Sequence, residues 1–304
     1  MSVPRKLTGI VAGLAAGALW GMGFVAPRVI PGFTAVDFTV GRFIVYGIMS
    51  LLLLVLAQGA VRPTGRQAMT AVGMSFLGFT GYYLLLVLAI RDAGTEVPSL
   101  IIGTIPIWMM LLGKPAGLKW AGLLPGLLLT MLGLGLMMNA SYGASLDVSA
   151  AQGAAFWRGV AFALVSMVLW TAFGLLNAAW LKRHCGISAG TWTNWLGIAT
   201  GAGSIALWLF AGSDVNTFAR QPQWALFAML CIATGAGSAW LATVLWNVAS
   251  QRLSASLCGQ LIVSETIFAL VYSFMWDGHW PSPLQAMACG FFIAGIVASI
   301  RAHR

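Results

Sequence analysis

The chain has 304 residues, of which 60% are hydrophobic and only 8% are charged, against roughly a quarter charged in a soluble domain. So much apolar surface excludes a water-soluble core and suits a bilayer, and no hydrophilic stretch is long enough for a separate soluble domain. The net charge of +9 is spread singly and in pairs at the ends of apolar segments, which excludes a nucleic-acid stripe and fits the positive-inside rule.

A helix crosses the hydrocarbon with about 20 apolar residues. On that measure the chain predicts about ten spans, at roughly 7–27, 38–57, 68–90, 96–113, 120–139, 156–181, 190–211, 223–250, 254–275 and 283–300. The first opens on Arg5-Lys6 like a signal peptide, but an internal repeat argues that it is retained. It carries Gly9, Gly13, Gly17 and Gly21, a four-residue spacing that lets another helix approach closely. Trp20 follows, and Arg42 lies inside the second span.

The third span offers Tyr82 and Tyr83, the fourth Pro106 and Trp108. The sixth aligns Trp170, Phe173 and Asn177 on one face, and the seventh offers Thr191, Asn194 and Trp195. The eighth aligns Trp240, Thr243 and Asn247, with Ser250 continuing the face. The polar stretch Ser250-Gln251-Arg252-Leu253-Ser254 separates it from the ninth, which carries Glu265 at its middle. Polar groups in hydrocarbon cost free energy unless partnered, so these faces are expected to point inward. They read either as inter-helix hydrogen bonding or as the wall of one central cavity formed by Trp20, Tyr82, Tyr83, Trp108, Trp170, Trp240, Thr243 and Asn247.

Arg42 and Glu265 are the intramembrane charges. They read as an ion pair or as a coupling site that binds protons. The histidines, His184, His279 and His303, fall in loops or at the terminus, and Cys185, Cys231, Cys258 and Cys289 show no metal or disulfide spacing. No metal, cofactor or catalytic residue is expected, and direct use of ATP is disfavoured because no phosphate-loop motif is present.

With a cytoplasmic N-terminus, the inside segments collect Arg5, Lys6, Arg62, Arg66, Lys114, Lys119, Lys182, Arg183, Arg252, Arg301 and Arg304. The outside keeps Arg28, Arg91, Arg158 and Arg220, together with Asp37, Asp92, Glu96, Asp147, Asp214 and Asp277. This asymmetry orients both termini to the cytoplasm. Shifting the sequence by about 150 residues brings Gly9, Leu14, Leu19 and Trp20 onto Gly159, Leu164, Leu169 and Trp170. Five spans is an odd number, so a second copy must be inserted upside down. The expected fold is therefore all-α and membrane-integral: two inverted five-helix repeats around a central cavity. The first repeat is 1–139, an outside linker is 140–155, and the second repeat is 156–304. Inverted repeats of this kind characterise secondary transporters.

Several motifs point the same way. Leu19-Trp20-Gly21-Met22-Gly23-Phe24-Val25, Gly41-Arg42-Phe43, Thr104-Ile105-Pro106 and Ser264-Glu265-Thr266-Ile267-Phe268-Ala269 resemble the drug/metabolite transporter superfamily, in particular its EamA-type ten-helix exporters. The last motif departs from the family's Glu-Pro-x-x-Ala, with Thr266 in place of the proline. Trp246-Asn247-Val248 is similar to YddG-type amino-acid exporters. The resemblance implies a small-molecule substrate, a central cavity and efflux from the cytoplasm. It sets no oligomeric state, coupling ion or substrate. The competing readings are a membrane-embedded lipid-modifying enzyme, which would need paired carboxylates or a His/Asp constellation, and a passive channel.

Overall fold

The computed structural model describes residues 3–30, 32–56, 61–93, 96–142, 153–278 and 280–303. The helices are α1 (Val3–Val25), α2 (Ala35–Leu56) and α3 (Gly65–Ala93). Next come α4 in two pieces (Glu96–Gly103 and Ile105–Leu112) and α5 (Trp120–Tyr142). After them come α6 (Ala154–Arg183), α7 (Ala189–Ala211), α8 (Trp224–Arg252), α9 (Ala255–Asp277) and α10 (Pro283–Ala302), with a single-turn helix Val215–Ala219 before α8. Among the described residues, eight of them, α2, α3 and α5–α10, are long and apolar enough to cross a membrane. α4 is broken at Thr104.

Local chemistry explains most boundaries. Thr64 and Ser282 each close a capping box with a glutamine three residues on, and Ser188 and Ser254 each accept a backbone N–H of the first turn. The break between α8 and α9 falls at Leu253, inside the polar stretch noted in the sequence. α9 ends on Gly278, whose φ of 67° places it in the left-handed region that glycine enters without strain. Pro106 opens the second piece of α4, where its missing N–H costs nothing.

Periodicity did not reveal two mid-helix departures. α3 contains a π turn at Phe76–Thr80, and α8 contains one at Gly235–Leu241. A π turn inserts a residue into the ladder and re-phases the side chains on either side of it.

The packing is pairwise. α2 runs along α7, and α5 along α10. α1 packs on α9 and on the last part of α8, while α6 packs on the second half of α3 and on both pieces of α4. The α2–α7 crossing is closest at Gly47 and Gly201. A Cβ on either glycine would stand 2.8 Å from the other's Cα, so the crossing excludes any larger residue. The glycine stripe of α1 behaves similarly: a Cβ on Gly21 would meet the Ala269 backbone nitrogen at 2.8 Å.

Polar groups between helices are tied to one another. Gln260 of α9 donates to Thr130 of α5 (2.9 Å) and accepts from Ser299 of α10 (3.0 Å), and Ser75 of α3 meets Thr200 of α7 at 2.8 Å. Outward surfaces are apolar, with Leu51, Leu52, Val55, Leu56, Leu209, Phe210, Met275 and Trp276 exposed. Aliphatic exposure on this scale is what lipid contact requires.

Candidate functional site

The centre of the bundle is aromatic. Trp20 of α1 and Trp170 of α6, which a shift of 150 residues in the sequence superposes, lie on the same indole, that of Trp246 in α8. Their ring centroids are 5.4 Å and 6.2 Å from it. Trp246 is 1% exposed and its buried Nε1–H has no hydrogen-bond partner among the described residues, whereas Trp20 and Trp170 are only half-buried. Phe173 extends the cluster along α6, 6.2 Å from Trp170.

Arg42, Tyr82 and Glu265 add the polar chemistry. The Arg42 guanidinium from α2 lies within electrostatic reach of Tyr83, Glu265 and Tyr82. Among the described residues it makes no ion pair. Its Nε is buried without a partner, and its charge sits 5.2 Å from the Phe43 ring centroid. Glu265 is half-buried at the middle of α9. Glu265 and Arg42 therefore lie within electrostatic reach of each other from α9 and α2, with the Tyr82 phenol of α3 near both, and among the described residues they form no ion pair.

The other predicted wall residues have contacts of their own, and Tyr83 has them while staying within electrostatic reach of Arg42. Tyr83, about 100° round the helix from Tyr82, packs with Val36, Val40 and Leu207 and donates to the Ala35 carbonyl at 3.0 Å. Trp240 is half-buried and donates to Asn194 Oδ1 of α7 at 2.8 Å. It lies within the π turn of α8, so the register that aligns it with Thr243 and Asn247 is shifted. Trp108 is 42% exposed, and its indole donates to Thr104 Oγ1 (3.2 Å) at the break in α4.

Thr243 and Asn247 are fully buried. Asn247 belongs to a hydrogen-bonded chain. Trp192 Nε1 donates to Asn177 Oδ1 (2.7 Å), Asn177 Nδ2 to Asn247 Oδ1 (2.8 Å), and Asn247 Nδ2 to Thr193 Oγ1 (2.9 Å). Tyr46 of α2 joins it by donating to the Thr193 carbonyl at 2.9 Å. The chain ties α2, α6, α7 and α8 together and consumes the Asn247 amide.

A second polar node went unrecognised in the sequence. Asp37, in the first turn of α2, is 2% exposed. Its carboxylate accepts from Thr34 N and Oγ1, Trp208 Nε1, and Ser213 N and Oγ, at 2.6–3.2 Å. The local signal was present: Thr34 three residues before Asp37 makes a reciprocal cap. The partners on α7 and beyond were not readable from spacing.

Residues 7–139 match the model of the EamA-like transporter family. The chain is 29% identical over 312 residues to the inner membrane protein YtfF of Escherichia coli (strain K12), covering 97% of this chain and 96% of that protein. A solved chain titled "Crystal structure of protein" superposes with a TM-score of 0.74 over 98% of this chain and 99% of its own, at 17% identity. That likeness is one of fold.

Proposed function

We propose that this multi-pass membrane transporter of the drug/metabolite superfamily, EamA-like over residues 7–139, is a secondary exporter of small amphipathic metabolites, amino acids foremost. It works by alternating access between two inverted five-helix halves, 1–139 and 156–304. α1 and α4 complete the ten spans, and both termini are cytoplasmic.

Four observations support the two halves. Exchanging α1–α5 for α6–α10 maps the packing onto itself: α2–α7 and α5–α10 pair with their own counterparts, and the α1–α9 contact answers the α6–α4 contact. The π turns fall in α3 and α8, which are counterparts. Gly47 and Gly201 meet reciprocally. Trp20 and Trp170 approach one shared ring. Substrate sites at the midplane between inverted halves follow the general design of such carriers.

The observation that carries the functional reading is that Arg42, Glu265 and Tyr82, all half-buried, lie within electrostatic reach of one another, while Trp20 and Trp170 share the Trp246 ring. An acid and a base that do not neutralise each other suit a zwitterion: the guanidinium takes a carboxylate and Glu265 an ammonium. The indoles cover the apolar part of the solute. Glu265 also supplies a proton-binding group, so substrate and proton compete for it and exchange across the membrane.

Purified protein in proteoliposomes tests this. An imposed proton gradient should drive uphill movement of an amino acid in wild type. Glu265→Gln should abolish the pH dependence and retain exchange at a raised half-saturating solute concentration, because the amide oxygen still accepts from the ammonium without pairing its charge. Retention of uphill, pH-driven transport by Glu265→Gln would remove the coupling role.

A further inference from the structure

Three basic side chains from three helices converge on one small cavity away from the central site. Arg5 comes from the first turn of α1, Lys182 from the last turn of α6 and Arg252 from the last turn of α8. With Leu181, Cys185 and Gln251 they line a space of about 180 Å³. No carboxylate lines it, and among the described residues none of the three forms an ion pair. The ion pairs that Arg91 and Arg158 make with Asp92 lie at the other ends of α3 and α6.

Part of this clustering has a local cause. Cations in the last turn of a helix offset its exposed carbonyls, and Arg252 Nη1 donates to the Val248 carbonyl at 3.2 Å. Arg5 has no such cause. It opens α1, where the helix end is itself positive, so its charge adds to the field instead of offsetting it. Among the described residues, no carboxylate neutralises the positive charge of the cavity. Its far wall is fixed, because Gln251 Nε2 donates to the Ile187 carbonyl at 3.1 Å.

We infer that this cavity binds a phosphate-bearing anion, supplied either by the headgroup of an anionic lipid or by a soluble phosphate ester. Guanidinium groups match phosphate oxygens in pairs, and lysine adds a compact charge. Basic pockets between helices on the positive face of a membrane protein hold anionic headgroups by this chemistry. Arg5 belongs to the first half, and Lys182 and Arg252 to the second. A bound anion therefore bridges the halves and holds that end of the bundle closed. Binding there is independent of which solute the central site carries.

The test uses full-length protein in nanodiscs of phosphatidylcholine, with and without phosphatidylglycerol. Native mass spectrometry counts retained lipid. Thermal unfolding is followed against inorganic phosphate, with chloride at equal ionic strength as the control. Wild type should retain phosphatidylglycerol over phosphatidylcholine, or be stabilised by phosphate beyond chloride. Lys182→Gln/Arg252→Gln should weaken that preference roughly tenfold or more, and Lys182→Arg/Arg252→Lys should restore most of it. Retained phosphatidylglycerol that phosphate does not displace identifies the lipid as the source, and displacement by phosphate identifies a soluble ester. A wild type that shows neither preference overturns the site, as does a neutral double variant that matches wild type in both assays. Should the double variant fail to fold, Arg5→Gln, at an exposed position, replaces it on the same criteria.

Discussion

Asn247→Ala separates a packing role from a solute-binding role at the buried amide chain. The substitution removes two hydrogen bonds, to Thr193 Oγ1 and from Asn177 Nδ2, and strands the Asn177 amide. Inter-helix hydrogen bonds in membrane proteins contribute about 0.6 kcal/mol each on average and about 1.7 at most. A buried donor left without a partner costs about 1–3 kcal/mol. Together these give a loss of about 2–4 kcal/mol. Equilibrium unfolding in mixed micelles of rising SDS fraction, followed by tryptophan fluorescence, reads it. Asn177→Ala strands Trp192 Nε1 in the same way. The double variant no longer contains the stranded Asn177 amide, so it should cost about 1–2 kcal/mol less than the sum of the single losses. Solute affinity of folded Asn247→Ala protein should change by less than about threefold. A loss under about 0.5 kcal/mol, strict additivity, or a large affinity change with little loss of stability would refute the reasoning.

Other outcomes follow from the same geometry. Asp37→Ala strands donors from Thr34, Trp208 and Ser213 and should cost about 2–4 kcal/mol in the same unfolding assay; Asp37→Asn should recover part of it. Gly47→Leu sets a side chain against the α7 backbone at Gly201. It should lower the yield of folded protein far more than Gly65→Leu, where a Cβ meets nothing within 4 Å. His303 is held below its ordinary value of 6.5, first by burial and also by the Lys6 ammonium, against the Ser299 carbonyl, which raises it. Its charged form is disfavoured in the folded protein. Stability is thus complete above the ordinary histidine range and should decline as pH falls through 6.5, and His303→Asn should flatten that decline.

Helix positions were legible because apolar length is local, and the Ser250–Ser254 interruption marked the end of α8. The capping boxes at Thr64 and Ser282 are local signals too, but they were not read, and the third helix starts at Gly65, not near 68. The π turns were not legible. Phe76–Thr80 and Gly235–Leu241 contain no proline, and their glycines and single polar residues, Thr80 and Ser238, do not by themselves specify a π turn. That loss of register explains why the expected Trp240, Thr243 and Asn247 face divides between a half-buried indole and a buried amide chain. Periodicity also could not decide which neighbour of the Tyr82–Tyr83 pair faces Glu265 and which packs on Val36 and Val40. Trp20 and Trp170 were singled out in the sequence because a shift of 150 residues superposes them. Trp246, the ring they share, has no counterpart in that match and was read only as part of the Trp246-Asn247-Val248 motif, not as part of the cavity wall.

Exchange across the membrane tests the carrier reading most directly. Proteoliposomes loaded with an unlabelled amino acid and diluted into a trace of the labelled one report whether a single site faces the two sides in turn. The account predicts transient accumulation of label above equilibrium in wild type, preserved in Glu265→Gln and lost in a Trp20→Ala/Trp170→Ala variant that still folds. Label that only equilibrates, at a rate indifferent to the internal amino acid, would contradict alternating access and mark the protein as a channel.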